Sequence, residues 1–262
     1  MAAQKVRLVL HEKGIDCTRI AVDLRNGDVM RPAYLALNPQ GVVPTLVHDG
    51  EVIVESSIIV EYLDDLFTEP PLRPAGSLAR ARMRAWLRRI DDEVQRAIGN
   101  LSMAVYIRDA HLARPRDELL AHLARMPDRD RAQRQQDAIE YGTAAPQFAS
   151  AIGALARMVD DVDAALGTGD WLTGDRFSLA DVAVAPYATR MQMVGLDALW
   201  LGGRRPRLHA WWGRLVQRPS WQREVRDAYT PAARDTMAAR GREAWPVVAG
   251  ILGLPATSVN GD

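Results

Sequence analysis

Residues 38 to 46 read Asn38-Pro39-Gln40-Gly41-Val42-Val43-Pro44-Thr45-Leu46, and the triplet Glu55-Ser56-Ser57 follows shortly after. The first four residues are a turn cluster, because they combine asparagine, proline and glycine. Two short β-like runs come next, at residues 44–47 and 51–54. Asp49-Gly50 lies between the runs and suits a tight hairpin, since both residues tolerate a positive φ. This stretch therefore predicts a β-hairpin entered through a turn.

The residues around the hairpin predict two helices and one more strand. Ser56 can cap a helix that continues with apolar spacing to Leu66. Residues 6–10 place apolar side chains on one helical face, and Gly14 stands where a helix C-cap belongs. Apolar residues alternate with polar or small ones between residues 20 and 24, which predicts a β-strand.

The rest of the chain predicts helices. A proline-rich linker follows the first unit, and two long segments after it carry apolar residues at steps of three and four. These apolar sets are Met83, Leu87, Ile90, Val94 and Ile98, and then Phe148, Ile152, Leu155, Val159, Val162 and Leu166. We interpret the charged stretch 109–141 as short helices and loops near the surface. The last clear helix is predicted at residues 208–216. The fold class is therefore α/β followed by all-α.

A capping box is the clearest local signal in the helical part. In Phe177-Ser178-Leu179-Ala180-Asp181-Val182, Ser178 can accept from the first turn of a helix and Asp181 can bond back. Phe177 can staple onto Val182 across that turn. The capping box defines where a helix starts, and we assign no catalytic role to its residues.

Composition narrows the function classes. The 262-residue chain has 33 Lys+Arg and 33 Asp+Glu, so no general field attracts nucleic acid or an anionic membrane. The sequence shows no signal-peptide core and no apolar run long enough for a membrane span. A single cysteine, Cys17, allows no internal disulfide, which favours a cytoplasmic protein.

Several residues that could carry chemistry are interpreted as structural. Cys17 follows the first helix instead of starting one, so we expect a small buried hydrophobe and not a nucleophile. The five histidines show no metal-ligand spacing, and no metal is assigned. A tryptophan cluster is expected in the core: Trp200, Trp211, Trp212 and Trp221.

These motifs, in this order, resemble the cytosolic glutathione transferases. The resemblance rests on residues 4–14, on residues 38–46 with Glu55-Ser56-Ser57, and on the Ser178 capping box. It covers about residues 4 to 225. It implies a thioredoxin-like glutathione-binding domain at residues 1–70, a linker at 71–77, an all-helical domain at 78–230 and a tail at 231–262.

The resemblance also implies a glutathione site. A cis bond before Pro44 would turn the backbone of Val43 outward to pair with the cysteinyl part of glutathione, as a strand pairs with a sheet edge. Glu55 would take the ligand's ammonium group, and Ser56, at a helix start, its carboxylate. Val42 departs from the Gln or Lys of many relatives, which argues for weaker binding.

The residue that activates glutathione is not identified. In the family, a first strand and an activating Ser, Tyr or Cys precede the position of Gln4, where this sequence has only Met1-Ala2-Ala3. We expect a misassigned start, with that strand missing from the sequence.

The substrate side rests on fold analogy. Met103, Tyr106 and Ile107 are expected to line a pocket for a hydrophobic, aromatic electrophile, and residues 101–148 resemble those of bacterial β-etherase and reductive-dehalogenase members. Relatives are usually homodimers, and we expect one here. Two functions stay open: a transferase that uses glutathione as co-substrate, and a non-catalytic glutathione-binding or regulatory protein.

Overall fold

The computed structural model describes residues 1–24 and 26–256, which contain a two-stranded hairpin and thirteen α-helices joined by loops and by 3₁₀ and π turns. The strands are β1 (Thr45–His48) and β2 (Glu51–Val54). The first helices are α1 (Ala2–Glu12), α2 (Pro32–Leu35), α3 (Ser56–Leu66), α4 (Ser77–Arg89), α5 (Gln95–Ser102), α6 (Arg108–Leu112) and α7 (Arg116–Ala124). The others are α8 (Arg129–Tyr141), α9 (Phe148–Ala165), α10 (Leu179–Met193), α11 (Pro206–Val216), α12 (Pro219–Trp221) and α13 (Pro231–Leu252). The predicted fold class, a small sheet domain followed by a helical one, is confirmed.

The predicted hairpin is present. β1 pairs antiparallel with β2, with Thr45 opposite Val54 and His48 opposite Glu51. Asp49 and Gly50 have φ of 51° and 83°, as a tight turn of this kind requires. The peptide bond between Val43 and Pro44 is cis.

The strand predicted at residues 20–24 does not form, and that prediction was wrong. Residues 15–23 have no regular structure, and the Ile20 side chain is 84% exposed. A strand needs a neighbour to satisfy its backbone, and within the described residues the sheet holds only β1 and β2. The segment is held instead by Arg19, whose guanidinium donates two hydrogen bonds to Glu224 (2.8 and 3.0 Å).

Helix α1 is tied to both parts of the molecule. Leu8 and Val9 are fully buried, and α1 packs against α3 and α10. At its end the Lys13 ammonium contacts Asp64 (2.7 Å) and donates to two backbone carbonyls in the region that follows α3. Gly14 follows with φ 63°, which ends the helix where the sequence predicted.

The predicted long amphipathic helix is continuous but locally widened. α4, α5 and α6 are joined by π-helical turns at Ile90–Val94 and Met103–Ile107. A third π turn, at Gln222–Arg226, follows α12. Such turns are rare and often occur at functional sites, because they displace side chains from the ordinary helical register.

α10 is the central helix of the core. Its start carries the predicted capping box, with Asp181 accepting from the Ser178 backbone (2.9 Å) and from Trp211 Nε1 (2.9 Å). Trp200 and Trp211 are almost fully buried, as predicted for the tryptophan cluster, whereas Trp212 is half-buried. Burial raises the pKa of Asp181, while the donors around the carboxylate oppose that shift.

The segment predicted as a tail is largely one helix. α13 runs for 22 residues and packs against α9, α10 and the turn at Met103–Ile107. The end of the predicted tail, residues 257–262, lies outside the described residues. Among the residues described, no helix combines the length and the apolar character that a membrane crossing needs.

Candidate functional site

The turn before β1 presents an unpaired stretch of backbone. Tyr34 Oη and Asn38 Nδ2 both donate to the carbonyl of Val42, at 2.8 and 2.9 Å. Gly41 has φ 61°, a conformation that is strained for a residue with a side chain, and a Cβ there would lie 3.3 Å from the Val29 carbonyl oxygen. Within the described residues, no hydrogen bond reaches the backbone N–H or C=O of Val43. The predicted site residues Val43 and Pro44 therefore leave one peptide edge free.

The predicted pair Glu55 and Ser56 lies at the start of α3. Glu55 has φ 66° and is the N-cap residue, while Ser56 is the first helical residue and is buried. Our expectation that the Ser56 side chain caps the helix was wrong, since no side-chain bond caps this end. Gln40 Nε2 donates to Glu55 Oε1 (2.7 Å), which joins the turn before β1 to the start of α3.

A buried lysine that the sequence analysis did not assign lies beneath this helix start. The side chain of Lys5, on α1, is fully buried and donates to Ser57 Oγ (2.9 Å) and Asp91 Oδ1 (2.8 Å). Burial lowers the pKa of Lys5, and the negative charges of Asp91 and Glu55 oppose that shift. A cation thus supports the first turn of α3, close to Glu55.

The residues predicted to line the substrate pocket occupy different environments. Met103 is buried in the core, whereas Tyr106 and Ile107 are partly exposed. Arg190, on α10, donates to the Tyr106 hydroxyl. Two surface clefts of about 550 and 590 Å³ lie elsewhere, beside His122 on α7 and beside the linker near Arg73.

Arg190 and Tyr229 are further polar residues that the sequence analysis did not single out. Their partners are far away along the chain, so no local spacing reveals them. Lys5 did leave a signal, because it and Lys13 are the only lysines in a chain whose other basic residues are arginines. Both lysine side chains are fully buried.

The prediction that Cys17 is buried was wrong, because its segment runs over the surface and the residue is exposed. Of the histidines, His111 and His122 have ring centroids 6.0 Å apart, a proximity that sequence spacing did not show. Burial and nearby arginines lower the pKa of both rings.

Comparison with known proteins identifies the two parts of the chain. A model of the glutathione S-transferase N-terminal domain matches residues 2–66, and one of the glutathione S-transferase C-terminal domain matches residues 109–214. The chain is 31% identical to glutathione S-transferase 3 of Zea mays over 227 residues, covering 84% of this chain and 87% of the maize protein.

Similar solved structures include a bacterial enzyme. The crystal structure of the β-etherase LigF from Sphingobium sp. strain SYK-6 has a TM-score of 0.78 at 26% identity and covers 86% of this chain and 95% of LigF. A theta-class glutathione S-transferase from Xanthomonas axonopodis pv. citri, with glutathione bound, has a TM-score of 0.60 at 27% identity. That match covers 86% of this chain and 91% of the other. The chain therefore belongs to the glutathione S-transferase family.

Proposed function

We propose that this protein is a glutathione transferase, in which the thiolate of glutathione attacks a hydrophobic, aromatic electrophile. The observation that carries the proposal is the free peptide edge of Val43 beside cis Pro44, joined through Gln40 to Glu55 at the start of α3. The similarity to a β-etherase supports an aromatic second substrate.

In this proposal, glutathione binds along the hairpin. Its cysteinyl backbone pairs with the N–H and C=O of Val43, which have no partner within the described residues. Its α-carboxylate meets the first turn of α3 at Ser56, where unpaired backbone N–H groups and the helix dipole favour an anion. Its ammonium group meets the exposed carboxylate of Glu55.

The chemistry is nucleophilic displacement or addition by sulfur. A free thiol has a pKa of about 8.5, so only a small fraction is thiolate at neutral pH. The positive end of α1 and nearby cationic side chains favour the anion. The thiol proton passes to solvent, the sulfur bonds to the electrophilic carbon, and a leaving group departs with the bonding electrons.

The wider arrangement belongs to the same proposal. The reaction takes place in the cytoplasm, where thiols stay reduced, and uses no metal. Residues 1–70 and 78–230, joined by the linker 71–77, form the two walls of the site, with Met103, Tyr106 and Ile107 on the helical side. The protein acts as a homodimer, which would cover the exposed side chains of Ile58 and Leu78. Sedimentation equilibrium measures the stoichiometry.

Titration calorimetry with glutathione tests the binding site. We expect Glu55→Gln and Ser56→Ala each to weaken binding by about tenfold, since each removes a charged or hydrogen-bonding contact. Glu51→Gln and Ser77→Ala are matched controls, because Glu51 is an exposed residue of the same hairpin and Ser77 is the exposed first residue of α4. Equal losses in the controls, or no binding at millimolar glutathione, would refute the site.

Turnover separates the transferase from a non-catalytic binding protein. The rate at which glutathione is conjugated to 1-chloro-2,4-dinitrobenzene can be followed by absorbance. This rate should increase with enzyme concentration and should be lower for the Glu55→Gln variant. Glutathione binding of full strength without any turnover of aryl halides or aryl ethers would favour the binding or regulatory protein.

A further inference from the structure

A buried arginine without a carboxylate partner lies behind the proposed substrate pocket. Arg190 is only 7% exposed, and no Asp or Glu oxygen among the described residues lies within 4.0 Å of its guanidinium. Its Nη1 donates to Ser102 Oγ (3.2 Å) and to the Tyr106 hydroxyl, and its Nη2 donates to Tyr229 Oη (2.7 Å). Arginine stays charged at all ordinary pH values, so the positive charge enclosed here is hydrogen-bonded only to neutral oxygens.

The donors of this cluster outnumber its acceptors. Arg190 Nε is buried and has no hydrogen-bond partner. The Tyr229 oxygen accepts from Arg190 and from Gln4 Nε2 (3.4 Å), so both of its lone pairs are used and its own proton is left over. The Tyr106 oxygen also accepts from Arg190, and within the described residues neither tyrosine hydroxyl donates to anything. Among residues 1–24 and 26–256, these three N–H or O–H donors therefore have no protein acceptor, and of the three only Arg190 Nε is fully buried.

The Gln4 amide does not supply the missing acceptor. Its Nε2 faces the Val225 carbonyl (3.5 Å) and Tyr229 Oη, while its Oε1 is buried and has no hydrogen-bond partner. Turning the amide over would bring Oε1 to Tyr229 but would also place it against the Val225 carbonyl oxygen. Nearby Glu224 is already bonded to Arg19. Within the described residues, the protein provides no anion for this cluster.

The tyrosine rings do not compensate the charge. The guanidinium carbon lies 5.2 Å from the Tyr106 ring centroid and 5.1 Å from that of Tyr229, which is a cation–π arrangement. Even when desolvated, such contacts recover only part of the free energy that burying an ion costs. An anionic ligand would offset the rest of the free-energy cost of burying the Arg190 charge.

The cluster is placed where the second substrate would meet it. Both tyrosine side chains are partly exposed, so they connect the buried guanidinium to the surface. Gln4 brings the start of α1 into contact with Tyr229, and Tyr106 belongs to the proposed pocket. Glu55 and Ser56, the proposed seat of the glutathione α-carboxylate, lie instead at the start of α3.

We propose that Arg190, Tyr106 and Tyr229 form a subsite for a carboxylate on the electrophilic substrate. This assignment rests on the proposed function, because it names the substrate class of the same site. A planar guanidinium matches the two oxygens of a carboxylate, and the tyrosine protons supply further donors. The protein thus selects aromatic electrophiles that carry a carboxylate over neutral ones of the same shape.

Two probes have nearly the same shape and differ in charge at one end, and any difference in their intrinsic reactivity cancels when the wild-type protein and a variant are compared. 4-Chloro-3-nitrobenzoate and 4-chloro-3-nitrobenzamide both react with glutathione by attack of sulfur on the carbon that bears chlorine. Chloride leaves with the bonding electrons, and the thiol proton goes to solvent. We expect kcat/KM to favour the benzoate in the wild-type protein, and Arg190→Met to reduce the benzoate-to-benzamide ratio by about 10- to 100-fold.

Binding gives a readout that does not need turnover. Titration calorimetry with the two glutathione conjugates, purified in advance, should show the same Arg190-dependent preference for the carboxylate. Tyr229→Phe should lower the preference less, because it removes one donor and keeps the charge. Arg240→Met is a matched control, since Arg240 is a partly exposed arginine on α13 that is paired with Asp109 and Glu243.

The outcomes distinguish this subsite from the proposed function. If glutathione binds but neither conjugate is preferred, the subsite is refuted and the proposed function stands. If glutathione itself fails to bind, the proposed function fails, and a preference for 4-nitrobenzoate over 4-nitrobenzamide still tests the subsite. Equal weakening of glutathione and both conjugates by Arg190→Met would place the cation at glutathione and overturn the assignment.

Folding of the variants is checked independently. Arg190→Met should fold, since replacing an unpaired buried charge by an apolar side chain of similar length is often neutral or stabilising. Arg190→Lys keeps the charge but loses the planar fork, so it should retain part of the carboxylate preference. A thermal melt of each variant, with and without 4-nitrobenzoate, should show a ligand-dependent rise in the wild-type protein that Arg190→Met lacks.

Discussion

At the scale of single residues, Lys5 and Asp91 form an ion pair whose two ends have unequal access to water. The Lys5 side chain is fully buried, while that of Asp91 is 32% exposed. Removing either partner leaves the other charge unpaired. Water can reach an unpaired Asp91 carboxylate, but it cannot reach an unpaired Lys5 ammonium group. The pair therefore supports the start of α3 chiefly by neutralising a buried ammonium group next to Ser57.

This asymmetry predicts unequal effects of two substitutions. Asp91→Asn should lower the free energy of unfolding by about 3–5 kcal/mol at pH 7, because it leaves a buried charge without a partner. Lys5→Met should cost about 1 kcal/mol or less. The Asp91→Asn deficit should shrink as pH rises, since burial lowers the pKa of Lys5 and a neutral amine is cheaper to bury. Urea titrations at pH 7 and 9.5 measure both effects, and equal costs for the two variants would contradict the account.

Asp197 predicts a pH dependence of the opposite kind. Burial raises its pKa from 3.8 to about 6, and its Oδ1 has no hydrogen-bond partner. The unfolded carboxyl ionises first, so the contribution of Asp197 to stability is complete below pH 3.8 and is lost as pH rises through about 6. Asp197→Asn should remove this loss and gain on the order of 2–3 kcal/mol over the wild-type protein between pH 4 and 7.

Urea unfolding between pH 4 and 7.5 checks the Asp197 prediction. Asp235→Asn is the control, because Asp235 is exposed on α13 and should give the same small difference at every pH. A stability difference for Asp197→Asn that does not change with pH would show that the carboxylate is hydrated in the folded protein.

At the scale of elements, α13 approaches the end of α10 at a position without a side chain. A Cβ built at Gly241 would lie 2.1 Å from the carbonyl oxygen of Val194, a distance no carbon can occupy. Backbone would have to move, because the obstructing atoms belong to the main chain. Close packing of α13 on the core therefore depends on this glycine.

Two glycines of the same helix make a matched pair of substitutions. Gly241→Ala should destabilise the protein by about 1–3 kcal/mol or more through overpacking. Gly250→Ala, where a Cβ would meet nothing within 4 Å, should stabilise it by about 0.5–1 kcal/mol through helix propensity. Thermal melts of both variants measure the difference, and a neutral Gly241→Ala would mean that α13 is not docked there.

At the scale of the whole molecule, one apolar core spans the hairpin-bearing part and the helical part. It includes Leu8 of α1 and Ile59 of α3 together with Leu155 of α9 and Leu179 of α10. Polar links cross the same boundary, since Glu12 of α1 accepts two hydrogen bonds from the Arg218 guanidinium. A shared core of this kind favours unfolding in one step.

We therefore predict that the two parts unfold together. All seven tryptophans lie between Trp86 and Trp245, so their fluorescence reports on the helical part alone. Hydrogen exchange of the α3 amides should show the same midpoint in urea as that fluorescence. Glu12→Gln should shift both probes by the same amount, whereas exchange of α3 at lower urea than the tryptophan transition would show a separately unfolding hairpin domain.

The hairpin, the capping box and the amphipathic helices could all be predicted from the amino-acid sequence. These features depend on residues close together in the chain: Asp49-Gly50 supplies the turn conformation, and Ser178 reaches Asp181 within one helical turn. The sequence also placed Val43, Pro44, Glu55 and Ser56 in segments that the structure joins through Gln40.

Long-range contacts, which the sequence does not reveal, set three other features: the path of residues 15–24, the burial of both lysines and the cluster around Arg190. The alternation of apolar and polar residues predicted a strand at residues 20–24, but a strand forms only when a neighbouring strand pairs with its backbone. This segment is instead held by the hydrogen bonds between Arg19 and Glu224. Arg190 meets Tyr106 and Tyr229 across sequence separations of 84 and 39 residues, which no local periodicity encodes. Local conformational preferences act within a few residues, whereas burial and charge pairing act between whichever segments the fold brings together.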